Sequence, residues 1–516
     1  MQKLSSLFYN VLDKIFNSRD ILIAISLFTV IWYAWILLKY SRKHRYPLPP
    51  GPRGLPLVGS LPFLDSELHS HFADLARTYG PILLLKLGGK ISIVISSPAM
   101  AREILKENDV TFANRVVPVV VTAMEYGGRD IVFTPYGPEW RMLRKVCVRD
   151  MLGHTTFDAF YCYRRKEVRN VVKYLYGLKG CRVNVGELMF SSVLNVITSM
   201  LWGGTIQGDG RAGVGAEFRQ VVGEITELLG KPNVSDFFPG LAWLDLQGLK
   251  KQMKVVIVKL EQIFERIIEE RLRNEGSIGS NSNFLEVLLQ LREGGGTEIP
   301  LTMMHIKALL VDMVVGGTDT TSSTVEFAIA EMMNKPEVML KAQREVDDVV
   351  GKNRVVEESH TNKLPYLNVV MKEVLRLHPV LPLMVPHCPS KPCVVGGYSV
   401  PEGARTFVNV WAIHRDPSNW TNPNEFNPER FLNGEGDCGN DFTYLPFGSG
   451  RRSCAGMAMG ERIVMYSLAS LVHSFRWELG EGESLDLSEK FGIVLKKKVP
   501  LVAVPVPRLS NVEVYE

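Results

Sequence analysis

Apolar residues recur along most of this chain with the spacing of helices. Runs over 255–273, 284–292, 302–334, 338–350, 365–378 and 457–475 place them three and four apart, the pattern of helices with one face against a core. The longest run stops just before Pro336, a residue that cannot continue a helix. Strand character lies early, where Pro81-Ile-Leu-Leu-Leu85 and Ile91-Ser-Ile-Val-Ile95 flank Gly88-Gly89, and it predicts a hairpin within 79–97. The Gly-, Ser- and Asn-rich stretch 274–283 reads as a solvated loop, because helical patterning resumes at once. The pattern predicts a mainly α fold with small β-sheets, in one body over 55–516.

The N-terminal pattern is different. Residues 21–38 carry no charge and make a helix of about 27 Å, close to the roughly 30 Å of a bilayer core. Lys39, Arg42, Lys43 and Arg45 follow, so the positive-inside bias predicts a single-pass transmembrane anchor with the body in the cytosol. Upstream, Leu4, Leu7, Phe8, Val11, Leu12, Ile15 and Phe16 predict an interfacial amphipathic helix over 1–17. The anchor region is thus 1–45. Pro47, Pro49, Pro50 and Pro52 make 46–54 a stiff hinge, and membrane lipid is one expected partner.

Composition narrows the classes. The net charge of +4, with no basic run interleaved with aromatics, predicts no nucleic-acid partner. Seven cysteines in 516 residues, an odd number with no C-x-x-C pair, fit free thiols in a reducing compartment and exclude the common zinc spacings.

The chemistry concentrates at Phe447-Gly-Ser-Gly450-Arg-Arg452-Ser-Cys454-Ala-Gly456. A lone cysteine between glycines that allow close backbone approach, with Arg452 just before it, can offer one thiolate to a haem iron. Upstream, Val315-Gly316-Gly317-Thr-Asp319-Thr320 sits in the middle of the longest helical run. Two interior glycines each cost roughly 1 kcal/mol relative to alanine, and room for a ligand beside the backbone would explain them. Thr320 can bond the Gly316 carbonyl four residues back and open the helix locally. Glu373 and Arg376 stand three apart on another helix, and Trp140 and Arg144 four apart on a third.

Together these segments resemble the cytochrome P450 monooxygenases. The cysteine run fills every fixed position of the family's haem-binding loop, Phe-x-x-Gly-x-Arg-x-Cys-x-Gly. That resemblance implies haem b with Cys454 as the metal ligand, cofactor contacts from Phe447, Gly450, Arg452 and Gly456, and electrons from NADPH through a reductase. It implies oxygen activation by Thr320, with Asp319 feeding protons, and a structural triad of Glu373, Arg376 and Arg430. It also implies propionate contacts from Trp140, Arg144 and His387, and a microsomal anchor in the endoplasmic reticulum membrane. Arg141, Lys145 and Arg149, one basic stripe, are expected to dock the acidic reductase. A non-catalytic haem protein would not need Asp319 and Thr320.

Phrases such as Leu228-Leu-Gly-Lys-Pro-Asn-Val-Ser-Asp236 and Lys490-Phe-Gly-Ile-Val-Leu-Lys496 resemble plant members that hydroxylate terpenoids and flavonoids, most closely sesquiterpene hydroxylases of the cadinene type. The segments the family maps to the pocket supply Val116, Val117, Pro118, Val119, Val120, Val121, Met124, Leu309, Leu310, Met313, Val314, Leu381, Leu383, Met384, Ile493 and Val494. So apolar a wall favours a sesquiterpene substrate, with flavonoid hydroxylation as the alternative.

Overall fold

The computed structural model describes residues 23, 25–34, 46–124, 129–203, 212–273, 283–295, 298–434 and 442–516. Helix Met303–Asn334 runs through the centre of the body. Thr302 sets its start: its hydroxyl accepts the His305 N–H, and the His305 ring accepts the Thr302 N–H in return. Pro336 begins the next helix, Pro336–Val350. Around the central helix pack Val185–Trp202, Met457–Ser474 and Pro365–Leu377.

Val185–Trp202 is a helix that periodicity did not predict, and burial explains why. Ser192, Thr198 and Ser199 are buried along with Val193, Leu194 and Ile197, so no polar face remains to mark a period. By length and composition it could pass for a membrane span, yet most of it is core. Leu68–Tyr79, Tyr161–Gly177 and Ala212–Gly230 are further helices outside the predicted runs.

The expected hairpin pairs Ile82–Leu87 with Lys90–Ile95 and turns at Gly88, whose φ of 59° favours glycine. The sheet continues through Arg405–Val408 and His387–Cys388 to Asn114–Arg115. That last pairing sets Arg115 opposite His387.

The proline-rich segment is hydrogen-bonded both to this sheet and to the separate two-stranded sheet that contains Tyr398–Val400. Pro50 O accepts the Leu84 N–H at 2.8 Å, and Pro47 O accepts the Ser399 N–H at 2.8 Å. Of the expected anchor, Ile25–Ala34 is an apolar helix with Ile25, Phe28 and Ile31 exposed. The amphipathic stretch 1–17, the flanking cations Lys39, Arg42, Lys43 and Arg45, the stretch 274–282 and Cys438 lie outside the described residues.

Candidate active site

A cavity of about 360 Å³ lies between the middle of the central helix and the loop that enters Met457–Ser474. The loop's shape is dictated locally. Cys454 donates its N–H to Phe447 O at 2.9 Å and Ser453 donates to Gly450 O at 3.1 Å. Gly450 has φ 73°, and a Cβ there would lie 2.3 Å from Leu105 O, so only glycine fits. Gly456 differs: its φ is −93° and its nearest neighbour would be Met459 Cε at 3.8 Å, so protein packing does not demand glycine there.

Cys454 and Phe447 both line the cavity. Burial pushes the Cys454 thiol up, while the Gly456 N–H and then Arg144 pull it back toward thiolate. A second thiol, Cys147, reaches the same wall but is buried, and burial, then Asp312, pushes it up to about 12. The two cysteines are therefore not equivalent.

Cations gather on one side. Arg144 donates to Ser453 O at 2.7 Å and to Ser453 Oγ at 3.4 Å. Arg452 lies over the Trp140 ring at 4.4 Å and donates to the carbonyls of Ala113, Ile131, Val132 and Thr134. Trp140 gives its indole N–H to Ile131 O at 3.1 Å. His387 is buried, with Nδ1 on Phe112 O at 2.8 Å; burial, then Arg115, holds its pKa well below the usual range, so it is neutral and Nδ1 carries the proton.

Arg115 is a residue the sequence reading passed over. It lines the cavity, donates to Val385 O and keeps a buried Nε with no partner. Burial, then Arg452, lowers its pKa to about 9; Arg452 is lowered to about 10, by burial first, with Asp130 opposing. The only sequence signal was an arginine directly after the Phe112-Ala-Asn114 run, and nothing in periodicity distinguishes it.

On the opposite wall, Leu309, Asp312, Met313, Gly316, Gly317, Thr320, Thr321 and Thr324 form one helical stripe. Thr320 Oγ donates to Gly316 O at 2.8 Å, and the helix stays continuous there. The two glycines have separate causes. A Cβ on Gly316 would meet nothing within 4 Å, whereas one on Gly317 would lie 2.7 Å from Ile197 Cδ1 of the neighbouring helix. Asp319 is buried and does not line the cavity. Its Oδ1 accepts from Lys496 Nζ at 2.7 Å, and its Oδ2 is buried without a partner.

The apolar wall needs correcting. Val121, Met124, Leu309, Met313, Leu381, Met384, Ile493 and Val494 line the cavity, but Val116, Val117, Pro118, Val119, Val120, Leu310, Val314 and Leu383 do not. Val314 is off the stripe, so enlarging it would strain the core and leave the wall unchanged. Polar liners absent from the sequence reading include Asp312 and Thr226.

Glu373, Arg376 and Arg430 meet away from the cavity, all buried. Glu373 accepts from Arg376 at 2.7 and 2.9 Å, from Arg430 at 3.0 Å and from Asn427 N–H at 2.8 Å. Arg376 also donates to His414 O at 2.7 Å. His414 donates from Nδ1 to Arg376 O at 3.1 Å and accepts the Leu445 N–H at Nε2, 2.8 Å. The triad thereby reaches the cysteine loop through a histidine that burial, then Arg376, keeps neutral, with a pKa of about 3.

Comparison with known proteins decides the family. A family model for cytochrome P450 matches residues 49–504. This chain is a cytochrome P450. A flavonoid 3',5'-hydroxylase of Campanula medium is 39% identical over 95% of this P450 and 97% of the relative. A flavonoid 3'-monooxygenase of Petunia hybrida is 40% identical over 95% and 98%. A solved zebra fish cytochrome P450 with progesterone superposes with a TM-score of 0.73 at 27% identity, covering 85% of this chain and 99% of that one. These relatives do not support the sesquiterpene-hydroxylase resemblance. The resemblance rested on short phrases and on a wall whose orientation the sequence does not give.

Cytochromes P450 use haem held by a thiolate and take electrons from NADPH through a reductase, and they act on small hydrophobic substrates. The residues present fit that cofactor. Arg115, Arg144 and Arg452 spend their donors on backbone oxygens or on Ser453 and form no ion pair among the described residues. Burial lowers all three, the first charge effect on Arg115 is repulsion from Arg452, and Arg115 Nε lacks an acceptor. Carboxylates on a macrocycle would supply the missing counter-charge.

Proposed function

We propose that this P450 is a membrane-anchored monooxygenase that hydroxylates a flavonoid-class phenol, with Cys454 as the axial ligand. The observation that carries the monooxygenase assignment is that Cys454 and Thr320 face one largely apolar cavity from opposite walls. Full-length likeness to flavonoid hydroxylases supports the substrate class. Haem with an axial thiolate supplies the oxidising chemistry when bound. Arg115, Arg144, Arg452 and His387 would hold its carboxylates, with Trp140, its indole N–H already on Ile131 O, bracing Arg452; Phe447 and Gly456 would border its face, whereas Gly450 does not line the cavity and serves the turn against Leu105 O. With Nδ1–H committed to Phe112 O, His387 can donate to a carboxylate only from a protonated Nε2, which that carboxylate would itself favour.

Thr320 places a hydroxyl over Gly316, where the helix has no side chain in the way. Asp319 is the proton store behind it, and the Lys496 side chain, about half exposed at 47%, links that carboxylate to solvent. Thr320→Ala should leave substrate binding within twofold while product formed per NADPH falls roughly a hundredfold, the lower end of a general-acid contribution. Unchanged coupling would remove Thr320 from this role.

The basic stripe serves reductase docking. Arg141, Lys145 and Arg149 are all exposed, although Arg149 Nε already pairs with Asp150 at 2.7 Å and so contributes least. Reversing all three to Glu should slow the first electron transfer at low salt and flatten its dependence on ionic strength. Wild-type reduction rates would show the stripe to be only solvated.

The substrate class is tested by titrating purified enzyme for the low- to high-spin haem shift. Naringenin or apigenin should shift it at low concentration. The many apolar side chains of the cavity favour a second reading, an oily sesquiterpene, and a shift with sesquiterpenes alone would replace the flavonoid reading with it.

A further inference from the structure

Asp312 is the acid on the cavity wall that the chemistry above does not use. It lies four residues before Gly316 and eight before Thr320 on the same stripe. Its Oδ2 accepts the Ile131 N–H at 2.8 Å, which fixes the carboxyl against the 130–133 segment. No described residue hydrogen-bonds its Oδ1. The carboxyl is thus held by one oxygen and open at the other, beside Leu309 and Met313.

An open carboxyl oxygen in an apolar cavity is costly unless something pairs with it. Resting on the flavonoid reading, we propose that Asp312 is a specificity-determining residue whose free oxygen holds a hydroxyl or carbonyl at the end of the substrate remote from the carbon being oxidised. Helical rise supports the word remote, since eight residues advance about 12 Å from Asp312 to Thr320. The protonation state suits the role. Burial first, and then the charge of neighbouring Asp130, holds Asp312 well above the usual carboxylate range, with the Ile131 N–H pulling weakly the other way. The neutral acid accepts through the oxygen at Ile131 and offers its O–H to the cavity, as a buried acid can where it stays protonated. A hydrocarbon cannot answer that donor.

The test compares ligands that differ only in oxygen. Spin-state titrations would set naringenin against the flavanone skeleton without hydroxyls, and a sesquiterpene alcohol against its parent hydrocarbon, in wild type, Asp312→Leu and Asp312→Asn. Haem loading of each variant is checked by its reduced carbonyl spectrum. Wild type should bind the oxygenated member of at least one pair about tenfold or more tightly. Asp312→Leu should lose that preference by weakening only the oxygenated ligand. Asp312→Asn should keep most of it, because the amide preserves an acceptor for Ile131 and a donor toward the cavity. Equal weakening of both members in Asp312→Leu would mean that Asp312 only clasps the 130–133 segment, and would overturn the proposal. So would the absence of any oxygen preference in wild type, or its full loss in Asp312→Asn. Silence from both flavanones with a response from the sesquiterpene pair would refute the flavonoid reading alone, and the second pair would still decide the role of Asp312.

Discussion

Cys454→Ala should yield a protein without the far-red-shifted Soret band of the reduced carbonyl complex and with no measurable turnover. The loop's geometry makes the expectation specific. Its backbone is closed by the Cys454 N–H to Phe447 O bond and held by Arg144 on Ser453, neither of which needs the thiol. The variant should therefore fold with an intact loop, and the loss should be chemical. Cys147 cannot substitute, because burial keeps its thiol protonated far above neutral pH. Cys147→Ala is the matched control and should retain the band. A Cys454→Ala protein that kept the thiolate spectrum would make the axial assignment wrong.

Glu373→Gln should prevent accumulation of haem-loaded enzyme. Glu373 is fully buried and its two oxygens serve Arg376, Arg430 and the Asn427 N–H. Neutralising it leaves two buried guanidiniums without an acid, and breaking a buried pair of this kind costs roughly 3–5 kcal/mol, a large share of a domain's net stability. The damage should reach the site, because Arg376 and His414 brace each other and His414 holds Leu445 just before Phe447. Haem content per folded protein and the thermal midpoint measure both effects. Wild-type values for both would show the triad to be dispensable.

Legibility followed local against long-range determinants. The cysteine loop could be read because its glycines and its cysteine are dictated within ten residues. The central helix could be read because Thr302, His305 and Pro336 mark its ends. Val185–Trp202 could not, since burial on both polar and apolar positions erased its period. The same limit governs the wall: Val314 and Asp312 sit two residues apart in one apolar-looking segment, and only the helix's rotation shows that Asp312 faces the cavity and Val314 does not. Reading segment membership as orientation made the cavity look more uniformly oily than it is, and that led to the sesquiterpene expectation. Arg115 and His414 escaped notice because their partners, Arg452 and Leu445, are hundreds or tens of residues away.

The most direct test is turnover of naringenin by the full chain in microsomes with a reductase, NADPH and isotopically labelled dioxygen. The account predicts a hydroxylated flavonoid that carries one labelled oxygen atom, formed only when NADPH and reductase are both present, and absent with Cys454→Ala. NADPH-dependent incorporation of labelled oxygen by Cys454→Ala, or a loaded wild-type enzyme that leaves naringenin unchanged under these conditions, would contradict it.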